Sequence, residues 1–483
     1  MKWMAWSLIL IALTLFGVRA YDSQRGAPLA PWHTFVPEEL GKEDLDHADW
    51  AAYLKAEQSI FDSVRSEVTQ KLDPQERIAD NRYFDGSPVH PGRFAKDWNR
   101  SFILEPEGAP RGAVVLLHGL TDAPYSLRHV ARLYREHGFV SVGIRLPAHG
   151  TVPGALTDVE WEDWLAATRL AVREARRNIG PSKPLHIVGY SNGGALTLKY
   201  ALDALDDDRL TRADRLVLIS PMVGVTAFAR FAGLAGLPAY FPRFAKAAWL
   251  SVLPEFNPFK YNSFPVNAAR QSYLLTAALQ ERLSAKAKEG RLRELPPILT
   301  FQSVMDFTVS TRAVVSALYD LLPVNDNEIV LFDLNRAADL GPLLSPSAET
   351  ALSRILPPAP RRYGTIVVTN AGPGDTNAVA QITPAGATET SVHPLGLAYP
   401  RDIYSLSHVA LPFPVDDSLY GLAPEGDADF GLHLGTLAAR GERGVLVSDL
   451  DTLMRINSNP FYPQMAARIA QTIAADLARK NAP

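Results

Sequence analysis

The segment Leu185-His-Ile-Val-Gly-Tyr-Ser-Asn-Gly-Gly194 holds one serine in the pattern G-x-S-x-G, with Gly189 and Gly193 flanking Ser191. An apolar run precedes the serine. The helix-forming run Ala195-Leu-Thr-Leu-Lys-Tyr-Ala-Leu202 follows it, so Ser191 falls at a strand-to-helix turn. A hydroxyl raised on such a strained turn suits attack on a carbonyl carbon through a covalent intermediate. The glycines fit this reading, because side chains there would clash where strand and helix approach closely. The plainer alternative is a serine that only caps the following helix; the apolar strand run before Ser191 favours the nucleophile.

A second motif, Leu116-Leu-His-Gly-Leu-Thr-Asp122, lies at the end of an upstream apolar run. Acyl transfer needs two backbone N–H donors for the oxyanion of the tetrahedral intermediate. Asn192, directly after the nucleophile, supplies one. Leu120, in the loop after this upstream strand, is expected to supply the other. His118 has two readings, catalytic base or loop brace. Where a G-x-S-x-G turn carries the nucleophile, the chain order is Ser, Asp, His, which places the base far downstream, so His118 is expected to brace the loop.

Elements that position these residues follow from hydrophobic periodicity. Short apolar runs at 101–105 and 113–117 suggest a strand pair joined by a turn. Helix and strand patterns then alternate: helix 124–137, strand 139–146, helix 159–178, strand 185–190, helix 193–206, strand 215–220. Such alternation predicts an α/β fold with a mainly parallel sheet covered by helices on both faces. The pattern breaks after Pro221 and resumes with a strand at 298–302, a helix near 311–322 and a strand at 328–333. A second interruption, about 334–402, contains Thr365-Ile-Val-Val-Thr369, which reads as an extra strand. A helix is expected over 50–72, and an amphipathic helix from Pro463 to about Lys480 closes the sequence.

The 483 residues include 48 Lys and Arg against 52 Asp and Glu, a net charge of −4, and no cysteine. That charge gives no footprint for nucleic acid, and the missing thiols exclude a cysteine nucleophile, disulfides and cysteine metal sites. No metal or organic cofactor is expected. Residues 1–20 differ from the rest: Lys2, an uncharged apolar stretch, then Val18-Arg19-Ala20. They predict a secretory signal peptide cleaved near Ala20 and an exported protein, with a membrane anchor as the alternative.

The motifs His118-Gly119-Leu120, Arg145-Leu-Pro-Ala-His-Gly150, Trp161-Glu-Asp-Trp164 and Gly189–Gly193 together resemble the α/β-hydrolase superfamily. Within it they resemble the branch of monoacylglycerol lipases, carboxylesterases and serine-aminopeptidase-like enzymes. A serine at position 191, where dehalogenases and epoxide hydrolases carry aspartate, separates the chain from those relatives. The resemblance implies an acid just after the strand that follows the cap. Asp306, in Ser303-Val-Met-Asp-Phe-Thr-Val309, fits the family's D-x-x-V pattern, with helix capping as its bland alternative and Asp333 in reserve. It also implies a later histidine. None occurs between 187 and 392, which leaves His393, His408 and His433; His408, in a small-polar loop, is the expected base.

The implied organisation is an N-terminal extension (21–100), a hydrolase core in two parts (101–221 and 297–483, with the 334–402 insertion) and a helical cap over 222–296. Residues 222–265 carry ten aromatics, among them Phe228, Phe231, Tyr261 and Phe264. Arg230, Arg243, Lys246 and Lys260 stand there against Glu255, a local balance of +3. An aromatic, basic lid suits a lipid-like ester substrate and contact with a membrane surface; the plainer alternative is a subdomain whose rings form its own core. The resemblance thus implies an exported serine hydrolase of carboxylic esters. Its rivals are an amide-hydrolysing aminopeptidase-like enzyme, an acyltransferase, and a non-catalytic binding protein that keeps the fold.

Overall fold

The computed structural model describes residues 2–224, 236–337, 350–425, 433–437 and 445–481, together with Ser345 and Ala348. Its strands are β1 (Phe102–Leu104), β2 (Gly112–Leu117), β3 (Phe139–Ile144), β4 (Leu185–Tyr190), β5 (Arg215–Ile219), β6 (Trp249–Ser251), β7 (Phe264–Pro265), β8 (Ile298–Ser303), β9 (Glu328–Phe332), β10 (Gly364–Asn370), β11 (Asn377–Thr383) and β12 (Ser391–Ala398). Ten of them form one sheet in the order β1-β3-β2-β4-β5-β8-β9-β10-β11-β12. The seven from β3 to β10 in that order run parallel. Every residue of β2, β3, β4 and β8 is buried, as continuous apolar runs require when helices cover both faces. Alternation divides them between two cores. Val115, Leu117 and Ile187 point to one side, and Val114, Leu116 and Val188 to the other.

One expectation about strands is corrected. The run at 101–105 does not pair with β2: β1 lies antiparallel to β3. Both edges of β2 are taken by β3 and β4, and the half-buried β1 fits only at the rim. The interruption after β9 carries the extra strand read at 365–369. It continues the sheet through β10, parallel to β9, and then β11 and β12 as an antiparallel meander. The outermost strand β12 is mostly exposed and carries Pro394 and a positive-φ Gly396, features that blunt an open edge.

The N-terminal extension clamps the body of the fold. Arg145, at the end of β3 and fully buried, takes Glu39 in a two-pronged ion pair of 2.8 Å per arm and bonds Glu57 at 3.3 Å. Both glutamates come from the extension, and Glu57 lies on the helix Trp50–Glu67. Arg82 reaches Gly150 and the carbonyl of Lys260, tying the extension to the loop after β3 and to the cap.

Within 236–296, the described part of the expected cap, β6 pairs with β7, and the 23-residue helix Val266–Lys288 packs along the helix Asn192–Asp203 that follows the elbow. Its bonds to the core include Gln280 Nε2 to Val223 O (2.7 Å) and Lys286 Nζ to Asp206 (2.8 Å). Among the described residues, four of the ten aromatics of 222–265 are buried: Trp249, Phe256, Phe259 and Tyr261. Phe259 stacks on Tyr125 with centroids 4.2 Å apart. Phe241 is exposed; Phe228, Phe231 and Arg230 lie outside the described residues. The closing helix Tyr462–Asn481 lays Met465, Ile469 and Ile473 against the second core at a four-residue spacing.

Candidate active site

β4 ends at Tyr190, and Ser191 takes φ 54° and ψ −115°. That backbone region is one non-glycine residues avoid at a cost of roughly 1–3 kcal/mol. Three backbone bonds of 3.0 Å hold it: Ser191 N–H to Ile219 O, and the N–H groups of Met222 and Gly194 to Ser191 O. The glycines make the turn fit. A Cβ on Gly193 would lie 1.9 Å from Leu117 O, and one on Gly189 would lie 2.3 Å from Gly193 O. Asn192 is the first residue of the helix, so its N–H has no intrahelical acceptor.

The loop after β2 comes up beside this turn. A Cβ on Gly119 would stand 3.1 Å from Ser191 Cβ, and Leu120 lines the cavity in front of the serine. His118 is fully buried. Its Nδ1–H donates to Gly119 O (2.9 Å), and its Nε2 accepts from Leu146 N–H (3.0 Å). Burial, with His149 adding to it, holds its pKa far below the usual imidazole range. A neutral ring with both nitrogens engaged braces the loop.

Across the cavity, Asp306 lies three residues beyond the end of β8. His408 Nδ1–H donates to Asp306 Oδ2 at 2.7 Å, and both side chains are buried. Oδ1 accepts from Thr308 N–H (2.8 Å) and Val309 N–H (3.0 Å), and Gln302 Nε2 donates to Oδ2 (3.1 Å). Burial pushes the Asp306 carboxyl up, but His408 and these N–H donors outweigh it and leave its pKa below the ordinary value. The helix that follows is capped by Ser310, whose side chain accepts from Ala313 N–H, and not by Asp306. Tyr190, the residue before the serine, lies near the His408 ring (centroids 5.3 Å) and donates from its hydroxyl to His408 O (3.3 Å).

Ser191, His408 and Leu120 line one cavity of about 470 Å³, with Tyr261 and Phe264 on its wall. Ser191 Oγ and His408 have no direct hydrogen bond, an arrangement common before substrate binds. The other sequence candidates lie elsewhere. Asp333 is engaged by Arg336 (3.3 Å) and Thr369 (3.1 Å). His393 sits exposed on β12 against Ser391, and His433 bonds Ser418 O. Three neighbours of the site were not anticipated: Gln302, on Asp306; Ser407, whose Oγ donates to Arg455 O at 2.7 Å; and Arg455 itself, on the cavity wall. Gln302 had a readable signal, since it stands four residues before the acid at the end of a buried strand.

Residues 108–334 match the family model described as serine aminopeptidase, S33. A thermostable monoacylglycerol lipase of Bacillus sp. (strain H-257) is 28% identical over 206 residues, which are 42% of this chain and 73% of that one. Among solved structures, one from work on the metagenome-derived lipolytic enzymes LipS and LipT has a TM-score of 0.40 at 20% identity, covering 53% of this chain and 97% of the other. A monoglyceride lipase variant of Saccharomyces cerevisiae with a substrate analogue has a TM-score of 0.37 at 14% identity, covering 48% and 81%. The family match spans both the elbow and Asp306, and the parallel sheet carries Ser191 on the turn after β4. The chain has an α/β-hydrolase fold, and over residues 108–334 it is similar to the superfamily's branch of monoacylglycerol lipase-like and esterase-like proteins.

Proposed function

We propose that this protein is a serine hydrolase of carboxylic esters. Ser191 Oγ attacks the ester carbonyl carbon and passes its proton to His408 Nε2, forming a tetrahedral oxyanion. Asp306 fixes the tautomer of His408 and stabilises the imidazolium, and the N–H groups of Leu120 and Asn192 receive the oxyanion. His408 then protonates the departing alcohol, and water repeats the sequence on the acyl-enzyme. The observation that carries this reading is the 2.7 Å Asp306–His408 pair facing a positive-φ Ser191 across one cavity.

The test is labelling by a fluorophosphonate together with hydrolysis of 4-nitrophenyl esters. Wild type should do both. Ser191→Ala should lose labelling and lower kcat by up to about 10⁶-fold, the scale seen when a triad serine is removed. Ester turnover above a tenth of wild type in that variant would take Ser191 out of the mechanism.

Export by a leader cleaved near Ala20 is part of the same reading, as is approach to lipid-like esters at a membrane surface. Exposed Phe241 and Leu250 on the cap support the second point.

A further inference from the structure

The cavity around Ser191 has a charge character that a neutral ester does not need. Its wall carries Lys260 and Arg455 and, among the described residues, no aspartate or glutamate. The other cap cations of the described residues turn away from it. Arg243 is exposed, and Lys246 Nζ donates to the carbonyl of Arg25. Lys260 alone turns inward.

Its ammonium makes no hydrogen bond and no ion pair. The nearest opposite charge is Asp122, a buried carboxylate outside ion-pair reach whose Oδ2 has no hydrogen-bond partner. Arg455 donates to Thr308 Oγ1 at 2.5 Å and meets no carboxylate. Its main chain is fixed as well, because its carbonyl accepts from Ser407 Oγ at 2.7 Å. Arg455 is thereby tied by its main chain to the residue preceding His408 and by its guanidinium to the loop that begins at Asp306. Lys260 is half-buried on the cavity wall, two cations there face one distant carboxylate, and an anionic ligand group would supply the countercharge they lack.

We propose that Lys260 and Arg455 bind an anionic group of the substrate, so that the cavity selects esters bearing a carboxylate or phosphate near the scissile carbonyl over neutral esters of the same length. The word ester rests on the hydrolase reading above; the anion preference is tested separately from it.

Two substrate pairs locate the charge. The 4-nitrophenyl hemiester of glutaric acid against 4-nitrophenyl pentanoate places it on the acyl side. A lysophosphatidic acid against the monoacylglycerol of the same chain places it on the alcohol side. Wild type should prefer the anionic member of at least one pair by about tenfold in kcat/KM, the factor one charge-assisted hydrogen bond is worth. The preference should fall about tenfold in Lys260→Met and in Arg455→Gln by the same arithmetic. It should persist in Lys260→Arg and shrink as salt is raised.

Binding of glutarate and of 1,5-pentanediol to the Ser191→Ala protein, measured by calorimetry, needs no turnover. Preference for glutarate there, lost in the double variant with Lys260→Met, supports the anion site even if every ester proves inert, an outcome that would sink the hydrolase reading alone. Hydrolysis of both members of each pair at equal rates would overturn the anion site and leave the hydrolase standing. Equal binding of glutarate and the diol would overturn it as well.

Discussion

Asp306 Oδ2 and His408 Nδ1 stand 2.7 Å apart although 102 residues of chain separate them. Between them the chain forms β9, extends the sheet by β10, β11 and β12, and returns along the rim. The return is pinned close to the pair: Asn335 Nδ2 bonds the carbonyls of Pro400 and Ile403, and Tyr399 OH donates to Asp333 O. These bonds bring the end of the excursion back to where it left, so the base reaches the acid without the intervening strands entering the cavity.

That geometry separates the three histidines. His408→Ala should abolish rapid acylation, whereas His393→Ala and His433→Ala should keep most of it. Asp306→Asn should lower kcat by about 10⁴-fold, as loss of the tautomer-fixing carboxylate does. Burst kinetics on an activated ester, with folding followed by circular dichroism, decide it. An active His408→Ala variant beside a folded, dead His393→Ala or His433→Ala variant would move the base.

Gly193→Ala tests the elbow by sterics. The new Cβ would sit 1.9 Å from Leu117 O, so the strand end or the helix must shift. Overpacking of this kind costs about 1–3 kcal/mol. Leu117 leads directly into the loop with Leu120, so the displacement reaches the proposed oxyanion donors. Activity should therefore fall by far more than a surface glycine such as Gly372, with nothing near its Cβ position, would cause on the same change. Equal turnover by the two variants would show that the close approach is unimportant.

The strands around the serine were readable because each is a continuous apolar run bounded by breakers; 185–190 and 215–220 fall within a residue of β4 and β5. What escaped depends on partners distant in sequence. Nothing local in Phe102–Leu104 says that β3 and not β2 lies beside it. β12, with Pro394 and Gly396, is a poor strand by propensity and is held by its pairing to β11. Arg145 was visible as a motif residue, but its clasp on Glu39 and Glu57 joins segments 88 and 106 residues away. Lys260 entered the sequence reading only as one unit of local charge, because periodicity does not say which cation of a cap turns inward.

In the full chain the helix Lys2–Asp22 ends against the cap: Ala20 and Ser23 are buried, Arg19 donates to the carbonyl of Ala247 (3.3 Å), and Gln24 Nε2 donates to Arg243 O (2.9 Å). Among the described residues no helix is long and apolar enough to cross a membrane. If the leader is removed, protein from the native cell envelope should begin at or near Tyr21 by N-terminal sequencing. Intact Met1 in the membrane fraction would refute cleavage and make the contact of Arg19 with Ala247 part of the mature protein.

Asp417 supplies the pH test. It fastens the chain beyond His408 to the helix Arg128–Glu136: Arg128 and His129 bond Oδ2 (2.5 and 2.9 Å), while Tyr125 OH and the N–H groups of Leu419 and Tyr420 bond Oδ1. Burial pushes the carboxyl up, but Arg128 and the other donors outweigh it and hold its pKa far below the usual carboxylate range. A carboxylate depressed in the folded state contributes stability that is fully present above its unfolded pKa of about 4 and is lost as pH falls through the folded value. Asp417→Asn leaves Arg128 buried without its countercharge and should cost about 3 kcal/mol at neutral pH. The variant should also lose less stability than wild type on acidification below about pH 4, since the titrating group is gone. Urea unfolding at neutral and acid pH measures both quantities. Parallel acid losses in the two proteins would remove Asp417 from the linkage and leave its clamp to be explained by packing alone.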